Sequence, residues 1–103
     1  MYYISYTDIE DMVFDWDDYK ESANIKKHNI SFKQAAYVFI DQNRIEYYDY
    51  THSDKEERYI AIGFAGKILY VVYTIRKDSI RIISARRATN KEKEMYIKWA
   101  KLH

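Results

Sequence analysis

Three arginines interrupt an apolar, strand-like segment near the C-terminus: Arg81, Arg86 and Arg87. Because successive side chains of a strand point to opposite faces of its sheet, we expect Arg81 and Arg87 on one face and Arg86 on the other. An unpaired guanidinium is costly to bury, so each arginine requires an anion nearby. That anion is either a phosphate of a substrate or a carboxylate of this chain. The candidate carboxylates on neighbouring strands are Glu46, Asp49 and Glu57.

Two further clusters have residue types that suit proton transfer and the binding of phosphate. Lys27 and His28 end a predicted helix, where positive side chains complement the negative end of the helix dipole. Alternatively, His28 serves as a general acid or base near neutral pH and Lys27 binds phosphate. Glu57 and Arg58 begin a predicted strand, either as an exposed charged start or as a carboxylate base beside a phosphate-binding arginine. His52, in the loop before them, is either merely solvated or a further proton donor.

The composition excludes several classes of protein. A chain of 103 residues with 48% hydrophobic and 32% charged residues predicts one globular domain. Its apolar runs are too short to span a membrane and no secretion leader is visible, so we expect a cytoplasmic protein without membrane contact. Cysteine is absent, which excludes disulfides and thiolate chemistry. The three histidines are scattered and only two glycines occur, so we expect no metal, phosphate-cradling loop or cofactor.

The net charge of +1 hides an uneven distribution along the chain. Acidic residues dominate the charged positions of residues 1–20, whereas basic residues dominate those of residues 76–103. Residues 76–103 therefore either face a polyanion or are screened by the acidic residues 1–20 in the folded chain.

Capping residues mark the helices of this sequence, and alternating polarity marks its strands. The predicted helices run from Asp17 to about His28, from Ser31 to Val38 or Phe39, and from Thr89 to about Leu102. The predicted strands are residues 45–50, 58–64, 68–76 and 79–88. Short connections make sequential strands antiparallel neighbours. The predicted fold is therefore α+β, with two N-terminal helices, a four-stranded or slightly larger antiparallel sheet and one C-terminal helix.

Hydrophobic patterning also predicts how individual elements pack. Residues 13–16 are expected to form an edge strand, and residues 2–6 could add a further strand. The nearly continuous apolar run of residues 68–76 is expected at the centre of the sheet, buried on both faces. One stripe of the last helix is expected to pack into the core: Met95, Trp99 and Leu102.

Four segments, in their order and spacing, resemble the BrnT family over about residues 13–100. They are Phe14-Asp15-Trp16-Asp17; Lys27-His28 with Ile30-Ser31-Phe32 and Ala35-Ala36; Glu57-Arg58-Tyr59 with Ile62-Gly63; and Arg81-Ile82-Ile83-Ser84-Ala85-Arg86 with Ala88-Thr89. The last segment is the most specific. Residues 1–12 lie outside the resemblance and are interpreted as an N-terminal extension, either a strand or a non-native start with Met12 as the true initiator. Residues 13–103 are interpreted as a single BrnT-like toxin domain.

This resemblance implies a fold, an activity and partners. BrnT proteins are toxins of bacterial type II toxin–antitoxin systems, with a RelE-like α+β fold and a ribonuclease activity that needs no metal. The resemblance implies an RNA substrate and neutralisation by a BrnA-like antitoxin whose DNA-binding part is of the ribbon-helix-helix type. Operator DNA would be reached only through that antitoxin. The functional positions of the family correspond to Lys27, His28, Glu57, Arg58, Arg81 and Arg86.

Cleavage of RNA without a metal requires removal of the 2′-OH proton, stabilisation of charge on the phosphorane and protonation of the leaving oxygen. Glu57 or His28 could remove the 2′-OH proton, and His28 could protonate the leaving oxygen. Arg81, Arg86 and Lys27 could stabilise the charge on the phosphorane. Exposed aromatic side chains could stack on unpaired bases. The residues predicted to contact RNA are Tyr48, Tyr50, His52 and Arg87, with Tyr47 as a further stacking candidate.

A competing interpretation is a non-catalytic α+β module that binds a partner while its arginines pair internally. The geometry of one strand bears on this choice, because Arg81 and Arg86 can serve one site only if the strand twists, bulges or ends between them. In an unbroken strand, Arg81 would be the catalytic arginine, and Arg86 would anchor the last helix or meet RNA from the edge.

Overall fold

Six strands form one mixed sheet in the order β1-β2-β6-β5-β4-β3. The computed structural model describes residues 12–103 in full and the backbone alone of residues 2–6 and 9–11. The strands are β1 (Tyr2–Tyr6), β2 (Ile9–Asp15), β3 (Ile45–Tyr48), β4 (Tyr59–Phe64), β5 (Ile68–Arg76) and β6 (Ser79–Arg87). The helices are α1 (Asp18–His28), α2 (Phe32–Ala36) and α3 (Asn90–Leu102), with a 3₁₀ turn at Tyr37–Ile40. The α+β class and its three helices are as the sequence predicts.

The sheet is not purely antiparallel, which corrects the sequence-based prediction. β2 pairs with β6 in parallel, with Phe14 beside Ile80 and Asp15 beside Arg81. Two helices and three strands separate β2 from β6 along the chain, and a connection of this length permits parallel pairing. β2 is also not an edge strand, because β1 pairs with its other side, so the strand predicted at residues 2–6 is present. The division of the chain at residue 12 stays a prediction.

Side-chain caps fix the helix ends where the sequence predicts them. The Asp17 carboxylate accepts two backbone hydrogen bonds at the start of α1, and the helix ends at Asn29, whose φ of 57° is left-handed. The Ser31 hydroxyl caps α2 in the same way. Thr89 and Glu92 form a reciprocal capping box at the start of α3. These local bonds place the end of α1 and the start of α3 independently of the core.

The hydrophobic core lies against one face of the sheet and is filled by side chains of α2, the 3₁₀ turn and four strands. Its largest fully buried side chains include Phe14, Phe32, Phe39, Leu69, Val71 and Ile82. β5 is central, as predicted, but the prediction that both of its faces are buried is wrong. Leu69 and Val71 are fully buried, whereas Tyr70 and Val72 between them are only half-buried. The second face of β5 is therefore only partly covered.

The packing of α3 also differs from the prediction. Met95, Trp99 and Leu102 were expected in the core, but their side chains are exposed. The half-buried residues of this helix are instead Glu92, Tyr96 and Ala100. Two polar contacts orient the helix in this way: Glu92 pairs with Arg86, and the Tyr96 hydroxyl donates to Asp41 Oδ2 at 2.6 Å. Within the described part of the chain, no helix is long and apolar enough to cross a membrane.

Candidate functional site

A β-bulge interrupts β6 between its first and second arginine. Ser84 pairs with Val72 of β5 and Ile82 pairs with Tyr73, so the intervening Ile83 has no partner in β5. One extra residue reverses the faces to which the preceding side chains point, relative to an ideal strand. The condition for Arg81 and Arg86 to serve one site is therefore met by a bulge.

The bulge changes which arginines share a face of the sheet. Arg81 lies opposite Thr74 and Arg86 lies opposite Tyr70, and these two β5 residues point to the same face. Arg87 pairs with Leu69 on the core side. The prediction that Arg81 shares its face with Arg87 is therefore wrong, because it assumed an unbroken strand. We call the side of the sheet away from the core the open face; its members include Tyr47, Tyr70, Thr74, Arg81, Ser84 and Arg86.

Asn24 joins α1 to the edge of β6. Its Nδ2 group donates to the backbone oxygens of Ile30 and Ala85, both at 2.9 Å, and its Oδ1 accepts from the Ala85 N–H at 3.1 Å. β2 pairs with β6 only at Ile80 and Arg81, so the edge beyond them has no strand partner among the described residues. The buried amide of Asn24 supplies the missing donor and acceptor, which holds α1 beside β6.

A cleft of about 470 Å³ lies between α1 and β6, and we call it the α1–β6 cleft. A single stripe of α1 forms one wall: Lys20, Ala23, Asn24, Lys27 and His28. The sheet forms the other: Tyr70, Ile83, Ser84, Ala85 and Arg86. Three of these residues carry a fixed positive charge, and no carboxylate is among them. The cleft is therefore suited to an anion.

Arg86 has several contacts at the cleft. Its two Nη groups bind the Glu92 carboxylate at 2.8 and 3.0 Å, and Nη1 also donates to the Arg87 carbonyl at 3.1 Å. Its Cζ lies 3.8 Å from the centroid of the Tyr70 ring, a cation–π contact. These three hydrogen bonds leave two N–H donors of the guanidinium without a partner among the described residues. Arg86 can therefore hold α3 through Glu92 and still bind a second anion.

Two tyrosines lie beside Arg86 on the open face, Tyr47 and Tyr70. Burial and the nearby Tyr70 raise the pKa of Tyr47 to about 12. Burial also raises the pKa of Tyr70, although the positive charge of Arg86 opposes this shift. Both phenols are therefore protonated at neutral pH.

Arg81 lies further along the open face, toward the start of β6. Its Nη1 donates to Asp15 Oδ1 at 3.3 Å, so its partner is neither Glu46, Asp49 nor Glu57. The Arg81 side chain keeps 27% of its surface exposed. One long hydrogen bond leaves most of its donors available to a ligand.

Arg58 and His52 lie together in the loop between β3 and β4, apart from the cleft. The loop is closed by the bond from the Asp49 N–H to the Arg58 carbonyl at 2.8 Å, and Asp49 Oδ2 lies 3.2 Å from His52 Nδ1. The buried Nε of Arg58 has no hydrogen-bond partner among the described residues. A hollow of about 310 Å³ beside it is lined by His52, Asp54, Lys55, Glu56 and Arg58. Its two carboxylates make it less suited to a phosphate than the cleft.

Glu57 does not line the cleft. Its side chain is exposed, and its backbone carbonyl accepts a hydrogen bond from the Thr74 hydroxyl at 2.8 Å. The neighbouring Glu56 pairs with Arg76 at 3.8 Å, not with Arg81 or Arg86. Of the predicted catalytic residues, the structure thus brings together Lys27, His28 and Arg86 in one cleft, with Arg81 on the same face as Arg86.

The remaining residues predicted to contact RNA are spread over the molecule. Tyr48 is half-buried in an aromatic cluster, with its ring centroid 4.7 Å from that of Tyr50 and 5.6 Å from that of Tyr59. Tyr50 is 88% exposed. Arg87 is exposed beside Lys93 of α3, in a separate hollow. Their contact with RNA stays a prediction.

Sequence reasoning missed four residues of the cleft: Lys20, Asn24, Tyr70 and Ser84. Lys20 and Asn24 precede Lys27 and His28 at helical spacing, and that spacing was a usable signal. Tyr70 is invisible without the pairing of β5 with β6, which places it opposite Arg86. Ser84 precedes Arg86 by two residues and therefore shares its face.

Comparisons with known proteins point to one family. The family model described as "Ribonuclease toxin, BrnT, of type II toxin-antitoxin system" matches residues 16–92, which is more than half of the chain. Among solved structures, the crystal structure of the Brucella abortus ribonuclease toxin BrnT matches with a TM-score of 0.59 and 26% sequence identity. That match covers 77% of this chain and 99% of the Brucella chain. No curated protein sequence matches the chain significantly.

Proposed function

Because the chain belongs to the BrnT family of ribonuclease toxins of type II toxin–antitoxin systems, we propose that it cleaves single-stranded RNA without a metal, in the α1–β6 cleft. The observation that carries this proposal is the charge of the cleft. Lys20, Lys27 and Arg86 line it together with His28, and no carboxylate shares the lining. A phosphodiester is the anion that a ribonuclease must hold.

The residues of the cleft suffice for the first two steps of the reaction. His28 takes the proton of the 2′-OH, since Glu57 does not line the cleft and His28 does. The 2′ oxygen then attacks the adjacent phosphorus. Lys27 and the two unpartnered donors of Arg86 stabilise the negative charge that develops on the phosphorane. Arg81 extends the positive surface along the open face and binds a neighbouring phosphate.

Metal-independent chemistry is part of the proposal. Attack by the 2′-OH needs a base, an acid and positive charge, which side chains supply without an ion. Within the described residues, no group of three His, Asp or Glu side chains lies together as metal ligands would. The lysines and the arginine of the cleft take the place that a cation would otherwise fill.

The toxin class implies an antitoxin partner as well as an RNA substrate. We infer that this partner is BrnA-like, with a ribbon-helix-helix part that reaches operator DNA. We also propose that the fold is RelE-like. The three helices and the mixed sheet are compatible with such a fold.

A cleavage assay in EDTA tests the proposed function. Purified wild-type protein should cut a single-stranded RNA oligonucleotide and leave a 2′,3′-cyclic phosphate and a 5′-OH. Lys27→Ala and His28→Ala should each lower the rate by about a hundredfold. Lys98→Ala is the matched control, because Lys98 is an exposed lysine of α3 that does not line the cleft. Activity that requires added Mg²⁺ would contradict the metal-free mechanism.

One observation favours the alternative of a non-catalytic module. Two of the three arginines of β6 already have internal carboxylate partners, Asp15 for Arg81 and Glu92 for Arg86. In that case the free protein cuts no RNA in EDTA or in Mg²⁺, and the His28→Ala protein is as harmless to growing cells as its parent. The same assay therefore decides between the two functions.

A further inference from the structure

We propose that Tyr70 is the general acid of this site, which donates its phenolic proton to the leaving 5′ oxygen. The assignment rests on the proposed function and adds the step that the other residues of the cleft leave open. His28 is neutral when it acts as the base, so it has no proton to give at the moment of attack. A second group must protonate the leaving oxygen or wait for His28 to move.

The position of Tyr70 meets the first requirement, which is access to the substrate. Tyr70 lies on the open face of β5 and lines the cleft together with Lys27, His28 and Arg86. The base and the acid therefore reach one phosphate from opposite walls, His28 from α1 and Tyr70 from the sheet. In-line attack requires this arrangement, because the leaving oxygen departs opposite the attacking one.

The surroundings of Tyr70 meet the second requirement, which is to hold a proton and then release it. Burial raises its pKa, so the phenol is fully protonated before the reaction. The Arg86 guanidinium, 3.8 Å from the ring centroid, opposes this shift and stabilises the phenolate once the proton has left. The neighbouring Tyr47 also acts to lower the pKa of Tyr70, which favours the same phenolate.

The proton balance of the step closes within the cleft. His28 receives the 2′-OH proton, the bond from the 2′ oxygen to phosphorus forms, and the bond from phosphorus to the 5′ oxygen breaks. The 5′ oxygen takes the phenolic proton of Tyr70 and leaves as a 5′-OH. The His28 imidazolium then returns its proton to the Tyr70 phenolate through solvent, which restores both groups for the next turnover.

Other hydroxyls of the described residues fit less well. Tyr47 has a pKa raised to about 12 and does not line the cleft. Ser84 lines the cleft, but an aliphatic hydroxyl is a far weaker acid than a phenol. His52 lies in the separate loop hollow.

A change of leaving group tests Tyr70. Tyr70→Phe removes only the hydroxyl, and we expect it to slow cleavage of an RNA oligonucleotide by about a hundredfold. With uridine 3′-(4-nitrophenyl phosphate), whose leaving group departs without a proton, the loss should shrink to less than about tenfold. Tyr19→Phe is the matched control, because Tyr19 is an exposed tyrosine of α1 that does not line the cleft.

Each outcome has a definite meaning. Equal losses on the two substrates, or no loss on either, overturn the assignment of Tyr70 and leave the proposed ribonuclease intact. A wild-type protein that cleaves neither substrate overturns both proposals. A second measurement replaces Tyr70 by a fluorinated tyrosine, whose phenol has a lower pKa. This substitution changes the shape of the side chain little and so keeps the fold. The alkaline limb of the pH–rate profile should move to lower pH, and an unchanged limb also overturns the assignment.

Discussion

Arg86 and Glu92 form a two-pronged ion pair that joins the sheet to the start of α3. The bonds are 2.8 and 3.0 Å long, and the same carboxylate accepts the Thr89 N–H at 2.8 Å to complete the capping box. Glu92 therefore caps the start of its helix and also holds Arg86 at the cleft. Arg86 both anchors the last helix and faces the proposed site, two roles that the sequence offered as alternatives.

Glu92→Gln separates the charge of this pair from the cap. Glutamine keeps the capping box but removes the negative charge, so the free energy of unfolding at pH 7 should fall by about 1 kcal/mol. Hydrogen bonds from Arg86 hold the pKa of Glu92 below its ordinary value of 4.5. The carboxylate therefore stabilises the fold above that pH, and its contribution is lost as the pH falls through the lowered pKa.

Urea unfolding of both proteins at pH 7 and pH 3 checks this prediction. The stability difference between wild type and Glu92→Gln should be larger at pH 7 than at pH 3. A difference that stays constant across this range would mean that the charge of Glu92 contributes nothing.

Asn24 is expected to be the most sensitive residue of the cleft wall. Asn24→Ala leaves the Ala85 N–H and two backbone carbonyls without their buried partner, at a cost of about 2 kcal/mol. Asn24→Asp is worse, because a carboxylate oxygen then faces the carbonyls of Ile30 and Ala85, and we expect a loss of about 3 kcal/mol or more. Ser22→Ala, on the exposed side of α1, is the control. Thermal unfolding that ranks Asp no worse than Ala would contradict this account.

The parts of the fold that were predictable rest on local chemistry. Asp17, Ser31 and Thr89 begin helices through bonds to residues two or three positions away, and a sequence displays such spacing directly. The parallel pairing of β2 with β6 was not predictable, because it joins residues separated by most of the chain. The stripe Met95, Trp99 and Leu102 misled for a related reason. Hydrophobic spacing shows that a helix has an apolar side but not that the polar contacts of Glu92 and Tyr96 turn that side outward.

The candidate site was predictable only in its residue types. Lys27, His28 and Arg86 were chosen for their chemistry, and the structure brings them into one cleft. The face of Arg81 was not predictable, because Ile83 at the bulge looks like any other β-branched strand residue. Asn24 likewise looks like an ordinary polar residue of α1 until its bonds to Ala85 are seen.

Deletion of Ile83 tests the bulge itself. Without the extra residue, Ser84 and Ile82 follow each other directly opposite Val72 and Tyr73, so β6 becomes a regular strand in which Arg81 and Arg86 keep their shared face. We therefore expect the deletion variant to unfold cooperatively, measured by circular dichroism. Ile83→Ala keeps the residue count and the bulge, and because Ile83 is only half-buried it should lose no more than about 2 kcal/mol. A deletion variant that lacks cooperative unfolding, while Ile83→Ala keeps it, would contradict this account of the register.

Arg81 and Arg87 lie on either side of the bulge, and their alanine variants form a matched pair for a test of RNA binding. Arg81 lies on the open face with Arg86, whereas Arg87 lies in the register of the core side. In a His28→Ala background, which prevents cleavage during the measurement, Arg81→Ala should reduce the slope of log Kd against log salt concentration. The expected reduction is about 0.7 for one lost phosphate contact of a single strand. Arg87→Ala should change that slope much less, although it removes the same charge from the same strand. Equal reductions in the two variants would show that RNA binds to the positive charges of β6 in general and not specifically along the open face.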